Sequence, residues 1–180
     1  MKEISLHILD IVQNSIAAKA EQVEIIVAEK IKKNLLKIEI KDDGTGMDKK
    51  EQKEVLDPFV TSRTTREVGL GLPFLKRAAE NCNGELILDS QKGEGTSLKV
   101  IFEYDHIDRA PLGDIIGTIV SLIITNPQLD FIYKHIYNNK EFELNTTEIK
   151  KEIGDIKINH PEIVNWINNY IEDNLNELRQ

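Results

Sequence analysis

One stretch decides the fold, Asp42-Asp43-Gly44-Thr45-Gly46-Met47, which follows the alternating apolar run Leu36 to Ile40. The alternation predicts a strand. The two glycines allow a sharp turn where a Cβ would block a positive φ or a close approach. The carboxylate of Asp42, at the strand end, can therefore meet a flat polar ligand. The same pattern is also common turn chemistry, so its meaning depends on what the rest of the chain places beside it.

Composition limits the class of protein. The chain has 180 residues, 40% of them hydrophobic and 30% charged, which is typical of a globular domain. A formal net charge of −8 argues against general affinity for nucleic acid or anionic lipid. No early apolar run has the features of a signal peptide, and the strongest later run, 115–124, is too short to cross a bilayer. We therefore expect a cytoplasmic protein with no nucleic-acid or membrane partner.

Hydrophobic periodicity predicts an α+β protein. Helical spacing covers 3–18, 49–56, 70–81, 113–125, 146–153 and 160–178, and strand patterns cover 22–41 (a pair), 85–91, 96–104, 129–137 and 141–144. A change of composition at 105–112 indicates a boundary. We predict a domain over residues 1–104 and a small α+β appendage of unknown role over 105–180. The apolar patterns place Phe74 inward and Trp166 and the tyrosines in the core.

Asp10 and Asn14 have i, i+4 spacing on the first predicted helix, which puts both side chains on one face. Carboxylate and amide oxygens are ligands that Mg²⁺ accepts, together with waters and phosphate oxygens. A carboxylate beside that metal could also orient or deprotonate a hydroxyl. The alternative is that both residues belong to the ordinary polar face of an amphipathic helix.

Two more glycine motifs point to a ligand site. Val68-Gly69-Leu70-Gly71-Leu72 opens a predicted helix, where backbone N–H groups and the helix dipole favour phosphate. Gly93-Glu94-Gly95-Thr96 allows a tight turn and presents a hydroxyl at the start of a strand. Taken alone, the first could be a glycine hinge and the second a simple hairpin. A buried carboxylate at Asp42 could accept a hydrogen bond from an exocyclic amino group, which distinguishes adenine from guanine.

Together these segments resemble the GHKL ATPase superfamily, which includes histidine kinases, gyrase, mismatch-repair ATPases and heat-shock chaperones. The resemblance covers roughly residues 3–104. Asp10 to Asn14 resembles the N box, Asp42 to Gly46 the first glycine box, Asp57-Pro58-Phe59 the Pro-Phe box, and Gly69 to Leu72 the second glycine box. The Pro-Phe followed by Thr61-Ser62-Arg63 is most similar to a histidine-kinase catalytic domain. The resemblance implies a two-layer sandwich, with helices on one face of a mixed, largely antiparallel sheet.

The resemblance also implies roles for single residues. Asn14, with Asp10, would bind Mg²⁺, Asp42 would accept from the adenine amino group, and Thr96 would support that contact. Residues 59–68 would form a lid, and Arg63 or Arg66 would be the candidate to reach the γ-phosphate. The ATP/ADP-binding set is then Asn14, Asp42, Gly44, Gly46, Met47, Phe59, Thr61, Ser62, Arg63, Arg66, Gly69, Leu70, Gly71, Leu72 and Thr96, with Asp10 as the catalytic candidate.

Two departures from the family pattern shape the expected function. Asp10 stands where hydrolytic members place a glutamate, and the first helix begins so near Met1 that we expect no dimerisation segment with a phosphoacceptor histidine. Our expectation is a stand-alone, Mg²⁺-dependent, kinase-like protein that phosphorylates or regulates a separate cytoplasmic protein in trans, with a homodimer possible. The alternative is a nucleotide-gated binding module with slow or no hydrolysis. An ATPase motor is the least favoured.

Overall fold

The computed structural model describes residues 3–57 and 71–180. The helices are α1 (Ile4–Ala17), α2 (Lys49–Val55), α3 (Gly71–Asn81), α4 (Ile115–Thr125), α5 (Thr146–Ile153) and α6 (Pro161–Leu178). The strands are β1 (Gln22–Lys30), β2 (Leu35–Asp42), β3 (Glu85–Gln91), β4 (Gly95–Glu103), β5 (Asp130–Tyr137) and β6 (Lys140–Asn145). A 3₁₀ turn, Ile31–Lys33, joins β1 to β2. The predicted α+β class is confirmed, and these bounds agree with the predicted segments to within two residues.

One six-stranded sheet contains all these strands, in the order β3-β4-β2-β1-β5-β6. Every neighbouring pair is antiparallel except β1 and β5, which run parallel from Gln22↔Asp130 to Glu29↔Tyr137. Residues beyond 105 therefore add two strands to the sheet that the N-terminal residues begin. The division into domains at 104 and 105 stays a prediction.

The core lies between one face of the sheet and the helices. Every second residue of the central strands points into it, for example Val23, Ile25 and Val27 of β1, which are fully buried. From α1, Ile4, Ile8 and Val12 reach the same layer. The opposite face of the sheet carries ion pairs such as Lys41 with Glu39, 3.1 Å apart. This is the predicted two-layer sandwich with helices on one face.

Two predictions about aromatic side chains are wrong. Phe74 is 54% exposed, because the buried stripe of α3 runs through Leu72, Leu75 and Ala79 and leaves Phe74 on the outer side. Trp166 is also exposed, on the outer flank of α6, and Tyr170 is partly exposed beside it. Tyr133 is fully buried, as predicted. Across residues 3–57 and 71–180, no helix has the length and apolar character that a membrane crossing requires.

Candidate nucleotide site

Asp42 is the last residue of β2, and its side chain is fixed by two hydrogen bonds. The backbone N–H of Gly44 donates to Oδ1 at 2.9 Å, and the hydroxyl of Ser15, on α1, donates to Oδ2 at 2.7 Å. Ser15 is buried while Asp42 is half-buried. An ionised carboxylate has about four lone-pair sites. The carboxylate of Asp42 is therefore held in place and still has acceptor capacity for a ligand.

Thr96, at the start of β4, lies directly opposite Asp42 in the antiparallel ladder. Its hydroxyl lies 2.9 Å from the hydroxyl of the buried Ser90 on β3. Ser90 donates its single proton to the Gly95 carbonyl at 2.8 Å and accepts from the Met47 N–H at 2.8 Å. With that proton committed, Thr96 donates to Ser90 and keeps its lone pairs for a ligand. Asp42 and Thr96 together form a pair of acceptors at one end of the sheet.

The glycines of this region allow close packing of the protein on itself. Gly46 and Gly95 have φ of +62° and +107°. A Cβ on Gly46 would overlap the Gln91 carbonyl, and a Cβ on Gly95 would overlap the Asp42 carbonyl. A Cβ on Gly44 would lie 2.9 Å from the Ala18 carbonyl at the end of α1. The loop after β2 and the turn between β3 and β4 can therefore pack together only with glycine at these points.

Asp10 lies beside the start of α3. A Cβ on Gly71 would be 3.0 Å from Oδ2 of Asp10, so the polar face of α1 meets the N-terminal end of that helix. Asp10 of the N box and Gly71 of the second glycine box, 61 positions apart in sequence, are brought together here. Leu72 is buried, so its side chain contributes to the core and only its backbone could face a ligand.

The donor set around Asp10 and Asn14 suits a metal that arrives with phosphate. Asp10 is exposed and Asn14 half-buried, and within residues 3–57 and 71–180 neither side chain has a hydrogen-bond or ion-pair partner. In the same ranges no three His, Cys, Asp or Glu side chains cluster as a metal site would require. Mg²⁺ commonly takes one or two protein oxygens and completes its shell with water and substrate phosphates. The two residues therefore fit Mg²⁺ bound with a nucleotide better than an ion bound alone.

Seven of the predicted site residues fall outside the described residues: Phe59, Thr61, Ser62, Arg63, Arg66, Gly69 and Leu70. Their roles at the phosphate end stay predictions. The remaining residues lie in two groups. Asp42, Gly44, Gly46, Met47 and Thr96 surround the end of β2, and Asp10, Asn14, Gly71 and Leu72 lie where α1 approaches α3.

Sequence reasoning missed Ser15 and Ser90, which orient the acceptor pair. Both carried a usable signal. Ser15 continues the apolar stripe of α1 after Ile8 and Val12, and Ser90 follows Leu86 and Leu88 on the inward face of β3. A hydroxyl at a position where the pattern calls for an apolar side chain indicates a buried polar contact.

His7 lies on α1, three residues before Asp10, and is buried. Its Nδ1 atom has no hydrogen-bond partner among the residues described. Burial lowers the pKa of His7, although the charge of Asp10 acts in the opposite direction. A buried, neutral imidazole is a structural element of α1 and is not accessible to a reacting group.

The family described as "Histidine kinase-, DNA gyrase B-, and HSP90-like ATPase" matches residues 2–106. The autoinducer 2 sensor kinase/phosphatase LuxQ of Vibrio parahaemolyticus is 36% identical over 86 residues, which are 44% of this chain and 10% of that protein. The sensor-like histidine kinase SenX3 of Mycolicibacterium smegmatis is 32% identical over 95 residues, 50% of this chain and 25% of that protein. The chain therefore spans a quarter or less of the length of these relatives.

A solved structure, the N-terminal domain of a DNA repair protein, shares the fold. It superposes with a TM-score of 0.55 at 17% identity, over 81% of this chain and 53% of that one. The shared fold thus extends beyond the residues that the family matches. The match over residues 2–106 shows that this chain belongs to the family of histidine kinase-, DNA gyrase B- and HSP90-like ATPases and is similar to histidine-kinase catalytic domains.

Proposed function

We propose that this chain binds ATP with Mg²⁺ between β2 and the polar face of α1, and acts as a kinase-like protein on a separate protein in trans. The observation that carries the proposal is the oriented acceptor pair of Asp42 and Thr96, which is held by Ser15 of α1, the same helix whose Asp10 lies beside the start of α3. One end of this site suits a base, and the other suits phosphate.

The base end favours adenine. Asp42 keeps acceptor capacity after its bonds from Ser15 and Gly44, and Thr96 presents a second acceptor. The exocyclic amino group of adenine donates to such a pair. Guanine would bring a carbonyl oxygen to the same place, and two acceptors facing each other at close range leave a polar group unpaired, which lowers affinity.

The phosphate end combines Asp10 and Asn14 with the start of α3. Backbone N–H groups at a helix N-terminus favour anions, and the oxygens of Asp10 and Asn14 would hold the Mg²⁺ that accompanies the phosphates. When bound, the metal would neutralise charge on those phosphates. Catalysis of phosphoryl transfer is mostly positioning and electrostatic stabilisation, so an Asp10 carboxylate need only orient an acceptor hydroxyl or imidazole.

The acceptor group is proposed to belong to another protein. Of the four histidines, His7 and His135 are 5% and 1% exposed. Neither can present its ring to a bound nucleotide without unfolding of the surrounding core. This supports transfer to a separate partner.

A second function, a nucleotide-gated binding module, is favoured by the surroundings of Asp10. A general base is commonly held by a neighbouring side chain. Among the described residues, none orients the Asp10 carboxylate by a hydrogen bond or ion pair. Slow hydrolysis with nucleotide-dependent capture of a partner is the expected behaviour in that case.

Incubation with γ-labelled ATP, Mg²⁺ and candidate partner proteins separates the two. Transfer of the label to a partner supports the kinase, provided that Asp10→Asn abolishes the transfer and still binds ATP. Tight binding with neither transfer nor steady release of phosphate supports the module. Failure to bind ATP at all would contradict both.

A further inference from the structure

Strand β6 is one of the two edges of the sheet, and its outer edge is unpaired. It forms ladder bonds with β5 alone, and no other described residue pairs with its backbone. A free edge presents a row of N–H and C=O groups to any extended chain that approaches it. The unpaired edge of β6 can therefore accept an added strand.

An exposed aromatic pair lies over this edge. Trp166 stacks on Tyr170 with ring centroids 4.9 Å apart and an angle of 10°. Tyr170 in turn meets Phe142 of β6 edge-on at 5.5 Å. Because α6 packs against α4 on its other side, the pair lies on the flank next to β6. Trp166 is 49% exposed, so a large apolar surface stands beside unpaired backbone groups.

The other face of β6 is acidic. Glu141 and Glu143 point away from α6 and are exposed, whereas Phe142 and Leu144 point toward it and are buried. Glu143 is bridged to Lys134 of β5 at 3.0 Å. Residues 105–180 contribute −6 of the formal charge of −8, and α6 itself carries four acidic residues and no basic one.

These charges disfavour a second copy of the chain as the natural occupant. Symmetric antiparallel pairing of two β6 strands, centred on residues 141–143 with the helices kept on one face, sets Glu141 opposite Glu143 or sets one of these two glutamates opposite its own copy. Like charges directly opposite each other destabilise a strand pair. Charge complementarity with Glu141 and Glu143 instead favours a strand that carries a positive charge at every second position.

We propose that β6 and the Trp166–Tyr170 pair bind an extended segment of another protein as an added strand. Lysine or arginine side chains at alternate positions of the segment face Glu141 and Glu143, and the apolar side chains between them pack on Trp166 and Tyr170. Backbone ladder bonds supply affinity and the alternating side chains supply specificity, as in other cases of strand addition. The proposal rests on the proposed function in one respect, because it names the chemistry of the partner, but the docking itself needs no nucleotide.

A short capped peptide that alternates lysine with valine is the probe. Trp166 is the only tryptophan of the chain, so its emission reports on the proposed surface directly. We expect a blue shift and saturable binding. We expect binding about tenfold weaker in Glu141→Lys, where attraction becomes repulsion. The matched control is Glu85→Lys, the same charge change on β3 at the other edge of the sheet, which should bind as the native chain does.

Backbone methylation of the peptide tests strand addition itself. Only every second N–H of an added strand faces β6. Methylation at positions of one parity should abolish binding and methylation at the other parity should leave it intact. Equal effects of the two parities, equal loss in Glu141→Lys and Glu85→Lys, or an unchanged Trp166 emission would each overturn the proposal. Because ATP binding is measured on the same samples, failure of the peptide with intact ATP binding refutes the docking surface and leaves the nucleotide site standing.

Discussion

Ser90 fixes the position of the two groups on either side of it, the Thr96 hydroxyl and the Met47 N–H. Its replacement by alanine removes the acceptor for both and leaves the Gly95 carbonyl without that donor. We expect Ser90→Ala to weaken ATP binding about tenfold, the equivalent of about 1.4 kcal/mol, by calorimetric titration. The control is Ser97→Ala, which removes a hydroxyl from the residue that follows Thr96 on β4 and therefore faces the other side of the sheet. Equal affinities in the two variants would show that Ser90 does not position the site.

Gly95 and Gly93 give a second test at the residue scale, since both have positive φ but only one is crowded. A Cβ on Gly93 meets no atom within 4 Å, whereas a Cβ on Gly95 overlaps the Asp42 carbonyl. Gly93→Ala should lower the free energy of unfolding by about 1 kcal/mol, from the left-handed conformation alone. Gly95→Ala should lower it by about 3 kcal/mol or more and displace Asp42. Urea unfolding measures both, and similar losses would contradict the packing described for Gly95.

At this scale the sequence was informative where chemistry needs a rare residue type. Asp42 and the glycines that follow it were predicted as a site because the pattern lies at a strand end and further motifs accompany it in the same chain. Gly46 is predicted to lie at the ligand and Gly95 to allow a tight turn, and the structure adds that both are needed for the chain to pack on itself. Ser15 and Ser90 were not predicted: each stands where the pattern calls for an apolar side chain, but the partner of its hydroxyl is known only from the fold.

Among the elements, α2 is the one tied most directly to the site. Asp48 caps it and forms a capping box with Glu51. The buried Gln52 donates to the Met47 carbonyl at 3.1 Å and to the Ser90 carbonyl at 2.7 Å. Gln52 thus links α2 to Met47 and to Ser90, two residues of the hydrogen-bond network that positions Thr96.

We expect Gln52→Ala to lower the free energy of unfolding by about 2 kcal/mol, because the buried Ser90 carbonyl and the partly buried Met47 carbonyl lose their donor. Amide exchange in α2 should also accelerate. Lys53→Ala, on the exposed side of the same helix, should change the free energy by less than about 0.5 kcal/mol. If both substitutions had the same small effect, Gln52 could not be the attachment of α2.

Hydrophobic periodicity predicts where the helices and strands lie, but it does not show how much of the surface of each helix is buried. On α6 the buried residues are Ile167, Ile171, Leu175 and Leu178. Trp166 and Tyr170 flank this stripe and would be covered if another element followed β6 in the sheet. Since β6 is the edge, they are exposed, and the sequence pattern alone contains nothing that distinguishes the two situations.

At the scale of the whole molecule, a buried polar cluster joins the two parts of the chain. Glu29 of β1 accepts from Tyr104 at 3.1 Å and from Arg179 at 3.3 Å, and it lies 2.9 Å from His135 Nε2 on β5. Tyr133 lies 2.7 Å from the other ring nitrogen of His135. Burial alone would raise the pKa of Glu29, but hydrogen bonds and charge from His135 and Arg179 hold it below its usual value.

This shift predicts acid sensitivity. A carboxyl whose folded pKa is depressed stabilises the fold above its unfolded pKa of about 4.5 and loses that contribution as the pH falls through its folded pKa. Glu29→Gln should lower the free energy of unfolding by about 2 kcal/mol at neutral pH and flatten its decline as the pH falls below about 4.5. Glu24→Gln, on the open face of the same strand, is the control. An unchanged pH slope in Glu29→Gln would contradict the role of Glu29.

The parallel pairing of β5 with β1 could not be predicted from the chain. Residues 105–180 carried strand patterns, but strand pairing over more than a hundred residues is decided by packing and not by any local signal. Only the structure shows that Tyr133 lies beside Ile25, and His135 beside Val27, in one sheet. The prediction of two domains rests on a change of composition near residue 105, and the sheet contains strands from both sides of that point.

The most direct test of the nucleotide site is calorimetric titration with ATP and GTP, with and without Mg²⁺. The native chain should bind ATP, more tightly with Mg²⁺, and should prefer it clearly to GTP. Asp42→Ala should abolish binding of ATP, while Asp89→Ala, an exposed aspartate on β3, should leave it unchanged. Affinity for ATP that survives Asp42→Ala to within a few-fold would contradict the assignment of Asp42 as the adenine anchor.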